Sequence, residues 1–347
     1  MKGEWTEAAI LFETTKPLRL TQLSIPELKP GQVLVEVAYS GICHTQLLEA
    51  MGKRGPDKFL PHALGHEGSG KVLKVGQGVK KVKPGDPVVL TWIKGKGAEV
   101  PSTDYQSSEG VIHSGAISTF MSRTVTCENR VVPIPPNMPL REAAMLGCAV
   151  PTGAGIVMKT AGVRTGSSVA IFGMGGIGLS ALLACRLCQA QTIIAIDLVD
   201  QKLERARQLG ATHTICSRQE DVKESLLKIT GNRGVDYAIE SAGRKETMEW
   251  AFQIVRPEGG LCVLAGNLPY GEKISIDPFD LIKGKRIVGT WGGESEPDKD
   301  IPHYAEMYLA GKLSLSSLIT HEYSLPEINE ALAELDRGGV GRALIRF

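Results

Sequence analysis

The chain has 347 residues, more than one compact domain usually holds, which predicts two domains. Its formal net charge of +1 gives no long-range attraction to nucleic acid or to an anionic membrane surface. The apolar runs are too short to span a bilayer, and the glutamate-containing N-terminal residues lack the long apolar core of a signal peptide. The composition therefore predicts a cytoplasmic protein without nucleic-acid or membrane partners.

The first 150 residues contain short β-branched runs separated by Pro/Gly turns. Strands are predicted at 33–37, 70–76 and 88–90, which together indicate an antiparallel, barrel-like β domain. Residues 94–115 are polar and rich in Gly and Ser, so we predict a long surface loop there.

From about residue 152, continuous apolar runs alternate with helical stretches. Strands that are apolar on both faces and alternate with helices indicate a doubly wound parallel sheet. The predicted strands are 169–172, 192–196, 235–240 and 260–264. Helices at 301–310 and 325–335 follow, and the chain ends in a predicted strand at 342–347.

A glycine-rich turn follows the first of these parallel strands and opens a helix. Its residues are Gly173-Met174-Gly175-Gly176-Ile177-Gly178, which fit the pattern G-x-G-x-x-G. The first glycine permits the tight turn, the second lets the backbone approach a pyrophosphate, and the third lets helix and strand pack closely. The helix N-terminus supplies donors and the positive end of a dipole. This context favours a dinucleotide site over an incidental turn in an α/β domain.

Asp197 lies at the end of the next predicted strand. Its carboxylate is placed to accept hydrogen bonds from the adenosine ribose and would repel a 2′-phosphate. The residues that follow, Leu198 and Val199, provide no arginine for such a phosphate. The pattern therefore predicts NAD, not NADP.

Three separate segments carry ligands that zinc prefers. They provide Cys43 in Gly-Ile-Cys-His-Thr, His66 in Gly-His-Glu-Gly and Cys148 in Leu-Gly-Cys. A Cys/His/Cys set with a fourth position open is the arrangement of a catalytic zinc. Spacing alone does not establish it, because an isolated Cys148 is more often a core residue and His66 could be a turn histidine.

With these motifs, the whole chain resembles the zinc-containing medium-chain alcohol dehydrogenases. The resemblance implies a GroES-like β-rich catalytic domain (1–151 and 293–347) and a Rossmann NAD-binding domain (152–292). It makes Cys43, His66 and Cys148 the ligands of one catalytic zinc per chain. It also implies an NAD-dependent alcohol dehydrogenase that acts on small-molecule alcohols or aldehydes.

The resemblance also implies roles around the zinc. Thr45 becomes the first member of a proton relay, and Glu67 the acidic residue behind the metal, with a solvated turn glutamate as its alternative. Trp92 and Phe120 align with the substrate channel, where two aromatics favour primary aliphatic or aromatic alcohols over sugars; either could equally be a core residue.

Four further positions align with cofactor contacts. They are His44 near the pyrophosphate, Thr152 packing on the nicotinamide, Lys202 near the adenosine ribose and Arg342 at a phosphate. Basic residues on a surface are usually only solvated, so these assignments carry less weight than the glycine turn.

The sequence departs from many relatives in three places. Residues 94–115 contain no cysteine, so the lobe that binds a structural zinc in relatives cannot do so here. Gln46 stands where relatives often have an aspartate that accepts the other N–H of the zinc histidine, and a neutral amide orients His66 less strongly. Leu48 replaces a relay histidine and cannot pass a proton.

The seven cysteines of the chain are odd in number and scattered, a poor disulfide framework. Cys185 and Cys188 form a Cys-x-x-Cys pair within a predicted helix, without a second pair to complete a zinc site. We interpret both as packing residues.

The altered relay keeps two alternative functions open. One is a relative that reduces a specialised ketone or an activated double bond, and the other is a protein that binds the cofactor without turnover. The resemblance further implies a homodimer or homotetramer that associates through an edge strand within 287–293.

Overall fold

A computed structural model describes residues 4–339 and 341–347 of the chain. Contacts divide the chain into two compact units. Unit 1 combines the chain up to Cys148 with the segment from Glu296 onward, and unit 2 runs from Ala149 to Ser295. The division of the sequence at 151/152 and 292/293 into a catalytic and an NAD-binding domain stays a prediction.

Unit 1 is rich in strands. In chain order they are β1 (Trp5–Leu11), β2 (Arg19–Ser24), β3 (Gln32–Ile42), β4 (His62–Ala63), β5 (Glu67–Val75), β6 (Pro87–Thr91), β7 (Asp104–Ser107), β8 (Gly110–His113), β9 (Arg123–Cys127) and β10 (Val131–Pro133), and, after unit 2, β17 (His321–Ser324) and β18 (Ala343–Arg346). The predicted β-rich domain is therefore confirmed.

Two sheets organise these strands. A closed barrel has the order β1-β2-β7-β8-β4, and a second, seven-stranded sheet has the order β10-β6-β5-β3-β18-β17, with β9 also pairing with β3. The C-terminal strand β18 runs antiparallel to β3, with Ala343 opposite Ile42. This pairing brings Arg342 close to the residues that follow β3.

The prediction of one long surface loop at 94–115 is wrong in its second half. That half forms the hairpin β7–β8, in which Tyr105 lies opposite Ile112. Both side chains are completely buried, and Tyr105 Oη accepts a hydrogen bond from Val125 N at 2.8 Å. The polar residues around these two apolar positions conceal the alternation that marks a half-buried hairpin.

Unit 2 contains one six-stranded parallel sheet, as predicted. Its strands are β11 (Ser168–Phe172), β12 (Thr192–Asp197), β13 (His213–Cys216), β14 (Tyr237–Glu240), β15 (Leu261–Leu264) and β16 (Arg286–Gly289). The order across the sheet is β13-β12-β11-β14-β15-β16. Residues 169–172 are completely buried because a central strand of such a sheet is covered on both faces.

Helices connect the strands of both units. They are α1 (His44–Ala50), α2 (Leu140–Ala143), α3 (Ala149–Gly155), α4 (Gly176–Leu187), α5 (Asp200–Gln208), α6 (Val222–Ile229), α7 (Lys245–Ile254), α8 (Pro278–Ile282), α9 (Pro297–Leu309) and α10 (Ile328–Asp336). Among the described residues no single helix is long and apolar enough to cross a membrane. The successive short segments 140–147 and 149–160 reach that length and composition together, and both are largely buried.

Candidate functional site

The three predicted metal ligands come together in unit 1 from three separate elements. Cys43 is the residue before α1, His66 comes just before β5, and Cys148 follows the short 3₁₀ turn Ala144–Gly147. One ligating atom from each residue lies within 4.8 Å of the others. The structure thus gathers the two thiols and the imidazole that the sequence places far apart.

The chemistry of this cluster fits a zinc ion. His66 Nε2 is buried without a hydrogen-bond partner among the described residues, so no described group competes with a metal ion for this atom. The neighbouring Cys148 thiol, the His66 imidazole and the Arg342 guanidinium hold the pKa of Cys43 well below its usual value, against the opposing effect of burial. A thiolate, a second sulfur and a neutral imidazole are the donors that zinc prefers, with a fourth position left for another ligand.

Behind these ligands lies a buried ion pair. Glu67 is completely buried and pairs with Arg342, which is itself 4% exposed. Glu67 is therefore not a solvated turn residue. Because a buried charge is costly unless it is paired or hydrogen-bonded, the pair fixes both side chains beside Cys43. The phosphate contact that the sequence suggested for Arg342 stays a prediction, and in the structure its guanidinium has this internal partner.

Two glycines make room for Glu67. A Cβ atom on Gly41 would lie 2.4 Å from Glu67 Oε1, and one on Gly147 would lie 2.7 Å from Glu67 Cβ. Each glycine is close in sequence to a cysteine ligand, so the close approach to Glu67 sets where Cys43 and Cys148 lie. The sequence showed both glycines beside the cysteines, but the reason for them appears only in the packing.

Helix α1 carries the residues that were assigned to the proton relay. Thr45 is half-buried, and its Oγ1 lies 3.8 Å from Cys43 Sγ, whereas His44 is exposed at the helix start. Leu48 is buried at 6% exposure, so an apolar side chain occupies that helix position.

The carboxamide of Gln46 joins two of the ligands. Gln46 Oε1 accepts a hydrogen bond from Cys43 N at 2.8 Å, and Gln46 Nε2 contacts His66 Nδ1. The same side chain therefore caps α1 and orients the imidazole. The predicted position of Gln46 beside His66 is thus confirmed. When His66 binds a metal through Nε2, Nδ1 carries the proton and faces this amide.

The two predicted pocket aromatics occupy different environments. Trp92 is half-buried, and its ring lies edge-on to His66 with a centroid distance of 6.4 Å. Phe120 is completely buried in a core cluster with Leu47 and Leu64. The structure places Trp92 beside the metal centre and packs Phe120 in the core, the alternative that the sequence left open. The assignment of both aromatics to a substrate channel stays a prediction.

In unit 2, the glycine turn has the geometry that the fingerprint predicts. Gly173 has φ +90°, a conformation that side chains rarely adopt, and helix α4 starts directly after Gly175. A Cβ on Gly178 would lie 1.8 Å from Gly173 O, whereas one on Gly175 would meet nothing within 4 Å. The turn is thus closed on its inner side at Gly178 and open at Gly175, directly before the first residue of α4.

Asp197 stabilises this turn from the neighbouring strand. Its Oδ2 accepts from Met174 N at 2.7 Å, and its Oδ1 accepts from Leu198 N and Val199 N at 2.7 and 3.0 Å. A carboxylate has about four acceptor positions, so one on Oδ2 remains for a ribose hydroxyl. The sequence indicated the ribose contact but not these three backbone contacts.

The two remaining cofactor assignments lie in unit 2 and stay predictions. Thr152 on α3 is 5% exposed, and its Oγ1 has no hydrogen-bond partner within residues 4–339 and 341–347. Lys202 is half-buried in α5, five residues after Asp197.

Comparison with known proteins identifies both units. Residues 29–136 match the alcohol dehydrogenase GroES-like domain family, and residues 176–309 match the zinc-binding dehydrogenase family. An S-(hydroxymethyl)glutathione dehydrogenase of Synechocystis is 33% identical to this chain over 99% of the chain and all of the relative. A protein of the same name from Escherichia coli is 34% identical over the same shares.

Solved structures agree in fold along the whole chain. A zinc-binding-domain alcohol dehydrogenase from Burkholderia ambifaria matches with a TM-score of 0.91 at 33% identity over 100% of both chains. Benzyl alcohol dehydrogenase from Acinetobacter calcoaceticus matches with a TM-score of 0.90 at 30% identity over 99% of both chains. The chain therefore belongs to the zinc-dependent medium-chain alcohol dehydrogenases, oxidoreductases that act on CH–OH groups with zinc and NAD.

Proposed function

We propose that this enzyme interconverts primary aliphatic or aromatic alcohols and their aldehydes with NAD, using a single zinc held by Cys43, His66 and Cys148. The observation that carries the proposal is the buried His66 Nε2, which has no hydrogen-bond partner in the described part of the chain and lies in a cluster with two cysteine sulfurs. The aromatic edge of Trp92 beside His66 supports an apolar alcohol over a sugar.

The side chains around the metal centre have distinct tasks in this reaction. When bound, a zinc ion held by Cys43, His66 and Cys148 would supply the Lewis acidity that lowers the pKa of an alcohol hydroxyl, and NAD would supply the hydride acceptor. Thr45, whose hydroxyl lies beside Cys43, receives the proton of the alcohol. Because Leu48 is buried and apolar, the proton leaves Thr45 by way of water or a cofactor hydroxyl.

The buried pair of Glu67 and Arg342 tunes the charge around the ligands. Arg342 stabilises the Cys43 thiolate, and the negative Glu67 partly offsets the positive charge of Arg342. We assign both residues to this task and leave the phosphate contact of Arg342 as a secondary proposal.

In unit 2 we propose that NAD binds with its pyrophosphate at the open face of the turn Gly173–Gly178. Asp197 holds the adenosine ribose through its remaining acceptor position, and Lys202 and Thr152 contribute further contacts. His44, exposed at the start of α1 in unit 1, is proposed to neutralise phosphate charge.

The relatives differ in substrate, which makes the substrate the part of the proposal to test first. The Synechocystis relative is named for S-(hydroxymethyl)glutathione, and the Acinetobacter relative for benzyl alcohol. We expect benzyl alcohol and medium-length n-alkanols to be oxidised with NAD by protein that carries one zinc per chain. Formation of NADH, followed at a fixed alcohol concentration, is the measurement.

The same assay separates the alternatives. Zinc without oxidation of any alcohol, together with reduction of a ketone or an activated double bond, would replace the proposed substrate class. Bound NADH without turnover of any substrate would identify a non-catalytic cofactor-binding protein.

We further propose that two copies associate through the edge strand β16. Ile287 and Val288 on this strand are half-buried, and exposed apolar side chains lie nearby in sequence on both sides of it. These are Tyr270, Phe279, Ile282 and Trp291, each more than half exposed. A bare edge strand with exposed apolar residues favours pairing with a second copy. Sedimentation equilibrium would test this, and a monomer at micromolar concentration would contradict it.

The proposed location is the cytoplasm. All seven cysteines are free thiols in the structure, as expected in a reducing compartment. Localisation of a tagged full-length protein by microscopy tests this proposal.

A further inference from the structure

A buried carboxylate in unit 2 has no assigned role. Glu240, the last residue of β14, is completely buried. It lies on the strand next to β11, from which the glycine turn emerges. A fully buried acidic side chain is costly unless its neighbours compensate it, so its presence here requires an explanation.

The hydrogen bonds of this carboxylate are strongly asymmetric. Oε1 accepts from Ala242 N at 2.9 Å, Gly243 N at 2.8 Å and Thr247 Oγ1 at 2.8 Å. Oε2 is buried and has no hydrogen-bond partner among the described residues. One oxygen therefore organises the whole connection from β14 to α7, and the other accepts nothing.

The connection that Oε1 organises packs directly against the glycine turn. Ser241 N donates to Phe172 O at 2.9 Å, and Ser241 Oγ donates to Phe172 O and Gly173 O at 2.9 and 3.0 Å. A Cβ on Gly173 would lie 2.8 Å from Ala242 N. The position of residues 241–243 therefore fixes the position of Gly173.

The next connection is held from the same residue. The backbone oxygen of Glu240 accepts from Ala265 N and Gly266 N, and a Cβ on Gly266 would lie 2.5 Å from Glu240 Oε2. Glu240 thus links the loops after β14 and β15 at the carboxyl edge of the sheet. Ligands of open α/β sheets bind at this edge.

We propose that Glu240 is a positioning residue for NAD: through its Oε1 it holds residues 241–243 against Gly173 and so sets the shape of the pyrophosphate turn. This inference rests on the proposed placement of NAD at Gly173–Gly178. Burial raises the pKa of Glu240. This direction agrees with a carboxyl group in which Oε1 accepts three hydrogen bonds and Oε2 has no partner among the described residues.

The asymmetry gives a sharp test. In Glu240→Gln the amide oxygen takes the place of Oε1 and keeps all three donors, while the NH₂ group occupies the position of Oε2. In Glu240→Ala the three donors lose their acceptor. The dissociation constant of NADH, measured by fluorescence with the zinc-loaded enzyme, is expected to rise about 10- to 100-fold in Glu240→Ala and to stay within about 3-fold of wild type in Glu240→Gln.

Two additional measurements separate positioning from stability. The NH₂ group in Glu240→Gln is buried without a partner, so its unfolding midpoint is expected to fall by a few degrees while NADH affinity is retained. Steady-state kinetics are expected to show a raised KM for NAD and an unchanged KM for the alcohol in Glu240→Ala. Glu246→Ala, which removes an exposed carboxylate from the same helix start, is the matched control.

A double-mutant cycle tests the route through Ser241. If Glu240 acts by holding the loop against Gly173, Ser241→Ala and Glu240→Ala weaken NADH binding less than additively when combined. If Glu240→Ala does not fold, Thr247→Val removes one of the three donors and is expected to weaken NADH binding about 3-fold.

The failure of this inference can be distinguished from failure of the NAD placement. The placement fails if Asp197→Ala and Gly175→Ala both leave NADH affinity unchanged. The positioning role fails if those variants weaken NADH binding but Glu240→Ala does not, or if Glu240→Gln weakens it as much as Glu240→Ala.

Discussion

The metal centre of unit 1 and the glycine turn of unit 2 are built on different physical bases. The metal centre depends on side-chain atoms, namely two sulfurs and one imidazole nitrogen, brought together from three elements. The glycine turn depends on backbone, since Gly173 needs its positive φ and Gly178 leaves no space for a Cβ. The metal centre therefore requires particular ligand atoms, whereas the glycine turn requires that Gly173 and Gly178 carry no side chain.

The metal centre and the glycine turn are therefore expected to respond differently to substitution. At the metal centre, replacing a ligand by a residue of the same shape abolishes metal binding but keeps the fold. The reason is that the ligand's role is to donate an electron pair, and its volume can be matched by another residue. In the glycine turn, a single methyl group changes the backbone, because the inner side of the turn is already filled. The following predictions test the contrast.

The largest expected effect is at Cys43. Cys43→Ser is nearly isosteric, but a serine hydroxyl stays protonated and is a poor zinc ligand. We expect zinc to fall far below one ion per chain and alcohol oxidation to fall at least about 10³-fold, since a Lewis acid contributes several kcal/mol. Metal analysis and NADH formation measure both, while NADH binding to unit 2 is expected to persist.

Cys188→Ser is the matched control, because Cys188 is a free, half-buried cysteine outside the metal centre. It is expected to keep zinc and activity. Removal of zinc from the wild type with a chelator, followed by its return, should abolish and restore turnover. Activity that survives in metal-free Cys43→Ser would show that the cluster is only structural.

The second prediction compares two glycines of the same turn. In Gly178→Ala the methyl group would meet Gly173 O, so the helix must shift; we expect a loss of about 3 kcal/mol in unfolding free energy. In Gly175→Ala the methyl group meets no protein atom and φ is −83°, so stability is expected to stay within about 1 kcal/mol of wild type.

NADH binding gives the second half of this comparison. Gly175→Ala is expected to weaken NADH binding about 10-fold or more despite its intact fold, because the methyl group occupies the open face of the turn. Denaturation curves and NADH fluorescence separate the two variants. Equal stabilities for both would contradict the close approach at Gly178.

The contrast also explains what the sequence could reveal. The glycine turn is local, so a contiguous pattern between a strand and a helix was enough to locate it and to give each glycine its role. The metal ligands are distant along the chain, and only the resemblance to a family linked Cys43, His66 and Cys148. Glu240 was missed because its partners are two backbone N–H groups and one threonine hydroxyl, which leave no recognisable pattern in the sequence.

Packing accounts for the other differences. Phe120 aligned with a substrate channel, but its burial depends on Leu47 and Leu64 from other elements, which no local pattern reports. The hairpin β7–β8 was hidden because only Tyr105 and Ile112 mark its buried face among polar residues. The pairing of Glu67 with Arg342 links the two separate chain segments of unit 1, and it depends on the pairing of β18 with β3, which the sequence does not show.

A third prediction concerns Asp197, where a side chain supports a backbone turn. Asp197→Ala removes the acceptor of Met174 N, Leu198 N and Val199 N together with the proposed ribose contact. We expect NADH binding to weaken about 10- to 100-fold and the preference for NAD over NADP to narrow, because the repulsion of a 2′-phosphate is lost.

Fluorescence titration with both reduced cofactors measures this effect. Asp200→Ala, which removes an exposed carboxylate from the start of α5, serves as the control and is expected to change neither affinity. An unchanged ratio of NADH to NADPH affinity in Asp197→Ala would place cofactor selection elsewhere.

The smallest expected effect is a gain in zinc affinity on substitution of Gln46, a residue that contacts a metal ligand and is not itself a ligand. Gln46 Oε1 is occupied by Cys43 N, so the amide nitrogen faces His66 Nδ1. In a zinc-bound His66 the Nδ1 atom carries a proton, and two donors then face each other. Gln46→Glu has the same shape and replaces one donor with an acceptor. Zinc affinity, measured by competition with a chromogenic chelator, is therefore expected to rise about 10-fold.

Gln106→Glu adds the same charge at an exposed position of unit 1 and is expected to leave zinc affinity unchanged. If Gln46→Glu binds zinc no more tightly than wild type, the amide of Gln46 has turned its oxygen toward His66 in the loaded enzyme, and the neutral side chain is already a sufficient partner for the imidazole.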